Sequence, residues 1–290
     1  MEEINNTSDI AILMATYNGE KYLKEQIDSI IAQTFQNWHL YVHDDGSKDC
    51  TVSIINEYID KYPEKISLMN YPSQGGACMN FLSMLNRVIS QYYMFCDQDD
   101  VWLPEKIEKE YDCIKKLEES NSDKPIIINT DLIVVDKNKV TINPSFWNYE
   151  HIYPMWIKHY YDYAALQFVT GCTMLFNNKV KECMKSTYDK ATMHDAWIAL
   201  SVAAAGGIVH NMTVPYILYR QHENNTLGAE NAEKLTISYR LLHAKNRLAL
   251  NKKYFMEMNA IKKISIINYI WAKIRYIVYT NLYLNHRPTE

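Results

Sequence analysis

Between residues 10 and 118 the chain alternates four times between a short apolar run and a segment whose apolar residues recur at helical spacing, and no other feature limits its fold as tightly. The runs are residues 10–15, 39–43, 66–70 and 92–96, each too short for a helix and closed by turn residues. Behind the first three come Tyr22, Leu23, Ile27, Ile30 and Ile31, then Val52, Ile55, Tyr58 and Ile59, then Phe81, Leu82, Leu85, Val88 and Ile89. Each set lines one helix face. Asp49 suits an N-cap for the second helix, and Pro104 opens the fourth where its missing N–H is not needed. Such alternation predicts a parallel sheet covered on both faces by helices, with ligands beyond the carboxyl ends of the strands. Further on, residues 126–130 and 169–176 read as strands, 194–205 as a helix and 208–219 as strand material.

The predicted strand ends are polar or acidic: Thr16 and Tyr17, Asp44 and Asp45, Asp97 and Asp99. Asp97, Asp99 and Asp100 put three carboxylates within four residues at the end of a buried strand. Anions so close together repel, and hard oxygen ligands at i and i+2 suit Mg²⁺ or Mn²⁺ shared with substrate phosphates. A solvated acidic turn is the alternative.

At 290 residues and a net charge of −4 the chain can bury a full core, but its charge is uneven. From Lys234 onward there are eleven Lys/Arg against two acids, Glu257 and Glu290, so this stretch carries about +9 and the rest about −13. Residues 1–9 have neither a basic nor an apolar stretch of the kind a secretory signal needs, and no apolar run is long enough to span a bilayer. Six cysteines without CxxC spacing fit reduced thiols in the cytoplasm, which makes the Asn-x-Thr triplets at Asn5, Asn211 and Asn224 chance matches.

Several motifs stand in a telling order: Ala15-Thr16-Tyr17-Asn18-Gly19, Asp44-Asp45-Gly46-Ser47-x-Asp49-x-Thr51, Asp97-Gln98-Asp99, His194-Asp195-Ala196-Trp197 and Tyr219-Arg220-Gln221-His222-Glu223-Asn224-Asn225. Over residues 9–228 they resemble the inverting family-2 glycosyltransferases of the GT-A fold. The wording around the DxD and the late motif is similar to bacterial rhamnosyltransferases of cell-wall and capsular polysaccharide. The resemblance implies an α/β fold, a Rossmann-like mixed sheet flanked by helices, in residues 1–228, with residues 229–290 as a basic helical extension. It implies a nucleotide-diphosphate sugar as donor, carried on dTDP (rhamnose) or UDP (a hexose). A saccharide or lipid-linked glycan would be the acceptor.

On this reading Ala15, Tyr17, Asp44, Asp45 and Asp97 form the nucleotide site. Asp45 would accept the N3–H of a pyrimidine, and Tyr17 would stack on the base. Asp44 is the turn residue among them, where a loop-stabilising role is the alternative. Asp99, Asp97 and His222 would hold the cation, which neutralises the leaving diphosphate. Arg220 is a phosphate candidate. Asp195 would take the proton of the acceptor hydroxyl as that oxygen attacks the anomeric carbon from the opposite face; its alternative is a helix N-cap. Gly171, His194 and Trp197 are acceptor-side candidates. The aromatic run of Trp147, Tyr149, Trp156 and residues 160–163 suits sugar rings or ordinary packing.

Ile264, Ile267, Ile270, Trp271, Ile274, Ile277 and Val278 form one apolar helical stripe flanked by Lys262, Lys263, Lys273 and Arg275. This pattern fits an anionic membrane surface, which would put the chain on the inner face of the plasma membrane. Packing on the body, or on a twin in a homodimer, is the alternative. Nucleic acid is not expected, because the rest of the chain is acidic. Two other function classes were open on the sequence. A phosphohydrolase using Asp97 and Asp99 lacks a Thr or Ser two residues after Asp99, and a non-catalytic scaffold would not need Asp45, Asp99 and Asp195 together.

Overall fold

The structure, a computed structural model, describes residues 3–184, 191–223, 228–229 and 244–286. Asn224 and Asn225 of the late motif, and residues 234–243 of the basic segment, lie outside the described residues.

Among the described residues seven strands form the main sheet, in the order Ile208–Met212, Ile126–Thr130, Leu175–Asn177, Tyr92–Cys96, Ile10–Thr16, Trp38–Asp44, Ile66–Leu68. The strands pair in parallel except Leu175–Asn177, which runs antiparallel to both neighbours. The sheet is therefore mixed rather than parallel throughout. Alternate residues of each strand enter different cores. Ile10, Ile12 and Met14 pack on one face with Leu40, Val42 and Met94. Ala11 and Leu13 pack on the other with Tyr41, Tyr93 and Phe95. Burial on both faces explains why these strands read as unbroken apolar runs.

Register sets the position of the site. Met14 lies opposite Cys96 and Thr16 opposite Asp44, so three neighbouring parallel strands end at one edge. The residues that follow, Tyr17, Asp45 and Asp97, emerge side by side there. Because Leu175 pairs with Met94 in the antiparallel sense, the turn Gly171–Thr173 just before it reaches the same edge.

Several local expectations are corrected. The helix Ala77–Arg87 stops before Val88 and Ile89, which pair as a short strand with Ile4–Asn5. Residues 169–174 are no strand, since a 3₁₀ turn occupies Gly171–Thr173. Residues 208–219 split into Ile208–Met212 of the main sheet and Ile217–Arg220 of a second sheet with Ile133–Val135, Thr141–Asn143 and Val101–Trp102. The second helix starts at Thr51 behind Cys50, and Asp49 caps the turn instead: its Oδ1 accepts from Thr51 N at 3.0 Å.

The helices Ala244–Ile261 and Ile266–His286 follow. Met258, Ile261, Ile264, Tyr269 and Ala272 pack on Ala164, Ala165, Trp197 and Leu200 of the helices Tyr160–Leu166 and His194–Ala204. Arg275 pairs with the fully buried Asp162 at 2.5 Å. All six cysteines are free thiols.

Candidate active site

The loops behind the first two long strands are laced together by their own motif residues. Asn18 N donates to Ser47 Oγ, Gly19 N to Thr51 Oγ1, Glu20 N to Asp49 Oδ2, and Lys48 N to Asn18 Oδ1. Asp44 belongs to this lacing. Its Oδ1 accepts from Thr16 Oγ1 and Ser47 Oγ, and its Oδ2 from Gly46 N and Ser47 N. Those four bonds fill its lone-pair positions, so the carboxylate holds the turn. Asp45 reaches across to the next loop. Its Oδ1 accepts from Ser73 Oγ, Gln74 N and Gly75 N, and its Oδ2 from Gly76 N at 2.7 Å. Burial alone would raise this carboxyl, but the four donors outweigh it and hold the pKa below the ordinary value. The loop can present these N–H groups because Gly75 and Gly76 adopt φ of 78° and 138°, where a side chain would be strained. Asp45 thus stays ionised, and its Oδ2, which accepts one bond, has a second acceptor position. Tyr17, just past the first long strand, is 54% exposed, and Ala15 is half-buried.

The Asp97–Asp100 loop is fixed from two sides. Gln98 Oε1 accepts from Tyr17 N at 2.9 Å and Gln98 Nε2 donates to Tyr17 O at 3.0 Å, joining the first loop to the acidic loop as a strand neighbour would. Glycine at position 19 leaves room for this amide, since a Cβ there would lie 2.2 Å from Gln98 Oε1. From the other side comes Arg220, only 2% exposed. Its Nε donates to Asp99 O, its Nη1 to Lys137 O and its Nη2 to Glu25, and the guanidinium lies 4.5 Å over the Tyr22 ring. Arg220 is therefore framework; its burial takes it from the phosphate role that the sequence allowed. The signal for this was the apolar strand Ile217–Arg220, which carries it inward.

Asp99 Oδ2 meets His222 Nε2 at 2.8 Å, and the imidazole stacks on Tyr22. Asp97, Asp100 and Cys172 form a second group, with one donor atom of each within 4.8 Å of the others. The buried Oδ2 of Asp100 has no N–H or O–H hydrogen-bond donor among the described residues. Burial first, then Asp99 and Asp195, pushes the Asp97 carboxyl up to about 7. Burial also raises the Asp100 carboxyl and the Cys172 thiol, which keeps the thiol protonated and a poor ligand. Carboxylates that repel one another, a buried oxygen without such a donor and a facing imidazole fit a hard divalent cation. Asp99, Asp97 and His222 would hold it, with Asp100 behind them.

Asp195 sits in the first turn of the helix His194–Ala204, after the N-cap residue Met193, and so does not itself cap the helix. A carboxylate there is favoured by the helix dipole. Its Oδ1 accepts from Ala196 N at 2.7 Å and its Oδ2 from Gly171 N at 3.1 Å. The latter bond brings it to the turn whose next residue, Cys172, touches the acidic group. Glycine is required at 171 because a Cβ would lie 2.4 Å from His194 Nε2. His194 packs against Phe81 and Phe95, and burial lowers its pKa against the pull of Asp195, so it is neutral. Its ring nitrogens have no hydrogen-bond partner among the described residues. Trp197, 1% exposed, lies in the core with Leu200 and Met258, which removes it from the acceptor side. Trp156 likewise packs on Tyr153, Tyr276, Tyr279 and Tyr283.

Sequence reasoning missed Gln98, Tyr22 and Glu25 as builders of the site. Gln98 stood inside the DxD, where nothing in the sequence signals that its amide bridges to the Tyr17 backbone.

Residues 11–184 match the profile of the protein family described as glycosyl transferase family 2. The dTDP-rhamnosyl transferase RfbG of Shigella flexneri is 28% identical over 271 residues, covering 88% of this chain and 86% of that protein. Among solved structures, S. aureus TarS in complex with UDP-GlcNAc is similar with a TM-score of 0.52 at 15% identity, covering 93% of this chain and 80% of that one. The mannosyltransferase PcManGT from Pyrobaculum calidifontis, in complex with GDP-Man and Mn²⁺, gives 0.54 at 15% identity, covering 97% and 86%. At such identities the structural likeness carries the fold alone.

Proposed function

The chain belongs to glycosyl transferase family 2 and has the GT-A fold, and from that premise we propose that it transfers rhamnose from dTDP-rhamnose to a saccharide or lipid-linked glycan, with inversion. One observation supports this reading most: Asp195 accepts from Gly171 N, beside Cys172, which groups with Asp97 and Asp100, so the proposed base and the proposed cation ligands are neighbours. The donor assignment is supported by the relative named as a dTDP-rhamnosyl transferase, which aligns along nearly the whole chain. A UDP-hexose is the alternative donor, because thymine and uracil differ by one methyl worth only about 1–3 kcal/mol in a pocket.

In the proposed reaction Asp45 accepts the base N3–H and Tyr17 stacks on the ring. Gln98 keeps Tyr17 in register with the acidic loop. A divalent ion, Mg²⁺ or Mn²⁺, at Asp99, Asp97 and His222 supplies positive charge for the diphosphate leaving group. Asp195 takes the acceptor proton as the hydroxyl oxygen attacks the anomeric carbon opposite the diphosphate. Gly171 N and Ala196 N steady that carboxylate. Residues 1–228 carry the transfer and residues 229–290 add the basic helices, in a protein acting in the cytoplasm. Thermal stabilisation by a panel of nucleotide sugars with Mn²⁺ tests the reading: dTDP-rhamnose is expected to raise Tm most, and no response to any pyrimidine-diphosphate sugar would refute it.

A further inference from the structure

The terminal helix Ile266–His286 turns Tyr269 and Ala272 inward, and both are buried. Ile266, Ile267, Ile270, Trp271, Ile274, Ile277, Val278 and Leu282 all point to solvent, with Ile267 74% and Trp271 56% exposed. At about 100° per residue these eight side chains fall within an arc of about 160° along a helix about 30 Å long. The stripe predicted from the sequence is thus real from Ile267 onward and faces away from the body, whereas Ile264, which precedes the helix, is buried against it. A soluble monomer rarely exposes such a continuous apolar patch. No helix among the described residues is long and apolar enough to cross a membrane.

The surroundings decide what covers this face. Residues 258–286 contain Lys262, Lys263, Lys273 and Arg275 and no acidic residue. Lys263 is exposed beside the start of the helix, and Tyr279 and Tyr283 are exposed along its far half. Arg275 is already paired with Asp162 of the body, but two-fold pairing with a second copy would set the lysines, Lys262, Lys263 and Lys273, against their own copies, with no acidic residue between 258 and 286 to offset them. An anionic headgroup layer supplies that countercharge, and its acyl chains receive the isoleucines while Trp271 and the tyrosines meet the interface. We infer that the Ile266–Leu282 face lies in the surface of an anionic lipid bilayer and holds the enzyme there. Under the proposed function this would bring a lipid-linked acceptor and Asp195 to one surface.

The test is co-sedimentation of the full chain with vesicles of phosphatidylcholine alone and with about one-third phosphatidylglycerol, at low salt and at about 0.5 M salt. Binding is expected to the anionic vesicles, weaker at high salt, and reduced about tenfold or more by the double substitution Ile270→Asp with Ile274→Asp. Brominated acyl chains are expected to quench wild-type tryptophan emission, and Trp271→Phe to remove that quenching, which reads insertion without depending on the aspartate variant. Absence of binding to anionic vesicles, binding unchanged by the double substitution, or a dimer that the substitution splits without any vesicle binding would each overturn the inference. These readouts need neither donor nor turnover, so their failure leaves the transfer reading standing, and the converse also holds.

Discussion

Asp195→Asn keeps the shape of the side chain and removes one hydrogen-bond acceptor and, under the proposed function, the proton acceptor. The residue is 9% exposed, and its two oxygens accept from Ala196 N at 2.7 Å and Gly171 N at 3.1 Å. An amide has one oxygen, so whichever way it turns, one of these N–H groups faces an NH₂. Leaving that donor unpaired costs about 1–3 kcal/mol of stability. At about 2–4 °C per kcal/mol the loss is visible in a melting curve and leaves the protein folded. The chemistry suffers more. General-base catalysis contributes about 10²–10⁴-fold, so kcat falls at least about 100-fold, or about 2.7 kcal/mol of barrier. Under the proposed function the donor contacts lie with other residues, so nucleotide affinity is expected to stay within about twofold. The assays are nucleoside-diphosphate release from the preferred donor in the presence of acceptor, and calorimetric titration with the nucleotide and Mn²⁺. Retention of more than about a tenth of wild-type turnover would place the base elsewhere. A fall in nucleotide affinity as large as the fall in turnover would make Asp195 a support of the binding site.

Gly171→Ala puts a methyl 2.4 Å from His194 Nε2, so denaturant melts are expected to show a loss of about 1–3 kcal/mol, with turnover falling as Asp195 loses its support. Gln98→Ala removes two hydrogen bonds that tie Tyr17 to the acidic loop; steady-state kinetics should show donor KM rising up to about tenfold with kcat within about twofold. The Asp97 carboxyl stands at about 7 in the folded chain, above the ordinary value, so the folded state holds its proton where the unfolded state has lost it. Cation-free stability therefore falls as pH rises from about 4 to about 7, while Mn²⁺ affinity, which needs the carboxylate, rises over the same span; melting curves with and without Mn²⁺ check both, and flat profiles would contradict the assignment.

The strands of the main sheet and most of its helices were legible because they follow local periods: apolar runs buried on both faces, and stripes at helical spacing. What the sequence could not display was pairing at a distance. Val88 and Ile89 continue a helical stripe, yet Ile4 and Asn5 recruit them into a strand. Leu175–Asn177 is inserted antiparallel between two strands that point the same way, and only the sheet dictates that. The same limit applied at the site. Asp45, Asp97 and Tyr17 were readable as strand-end residues. The Asp99–His222 pair and the Asp195–Gly171 bond join positions 123 and 24 residues apart. Burial decided the rest. Arg220 and Trp197 sit in polar or catalytic motifs, and each turns its side chain into the interior, where a motif match says nothing of direction.

Under the proposed function the acidic strand ends, the late histidine and Asp195 serve one cation and one sugar diphosphate. Anomalous diffraction from crystals grown with Mn²⁺ and dTDP reads this directly. The expected map has a single manganese peak about 2.1 Å from an Asp99 oxygen, bridging to the diphosphate, with the base against Tyr17 and Asp45 and the Asp195 carboxylate facing the open side. A manganese peak away from Asp97 and Asp99, or a nucleotide bound on a surface that Asp195 does not border, would contradict it.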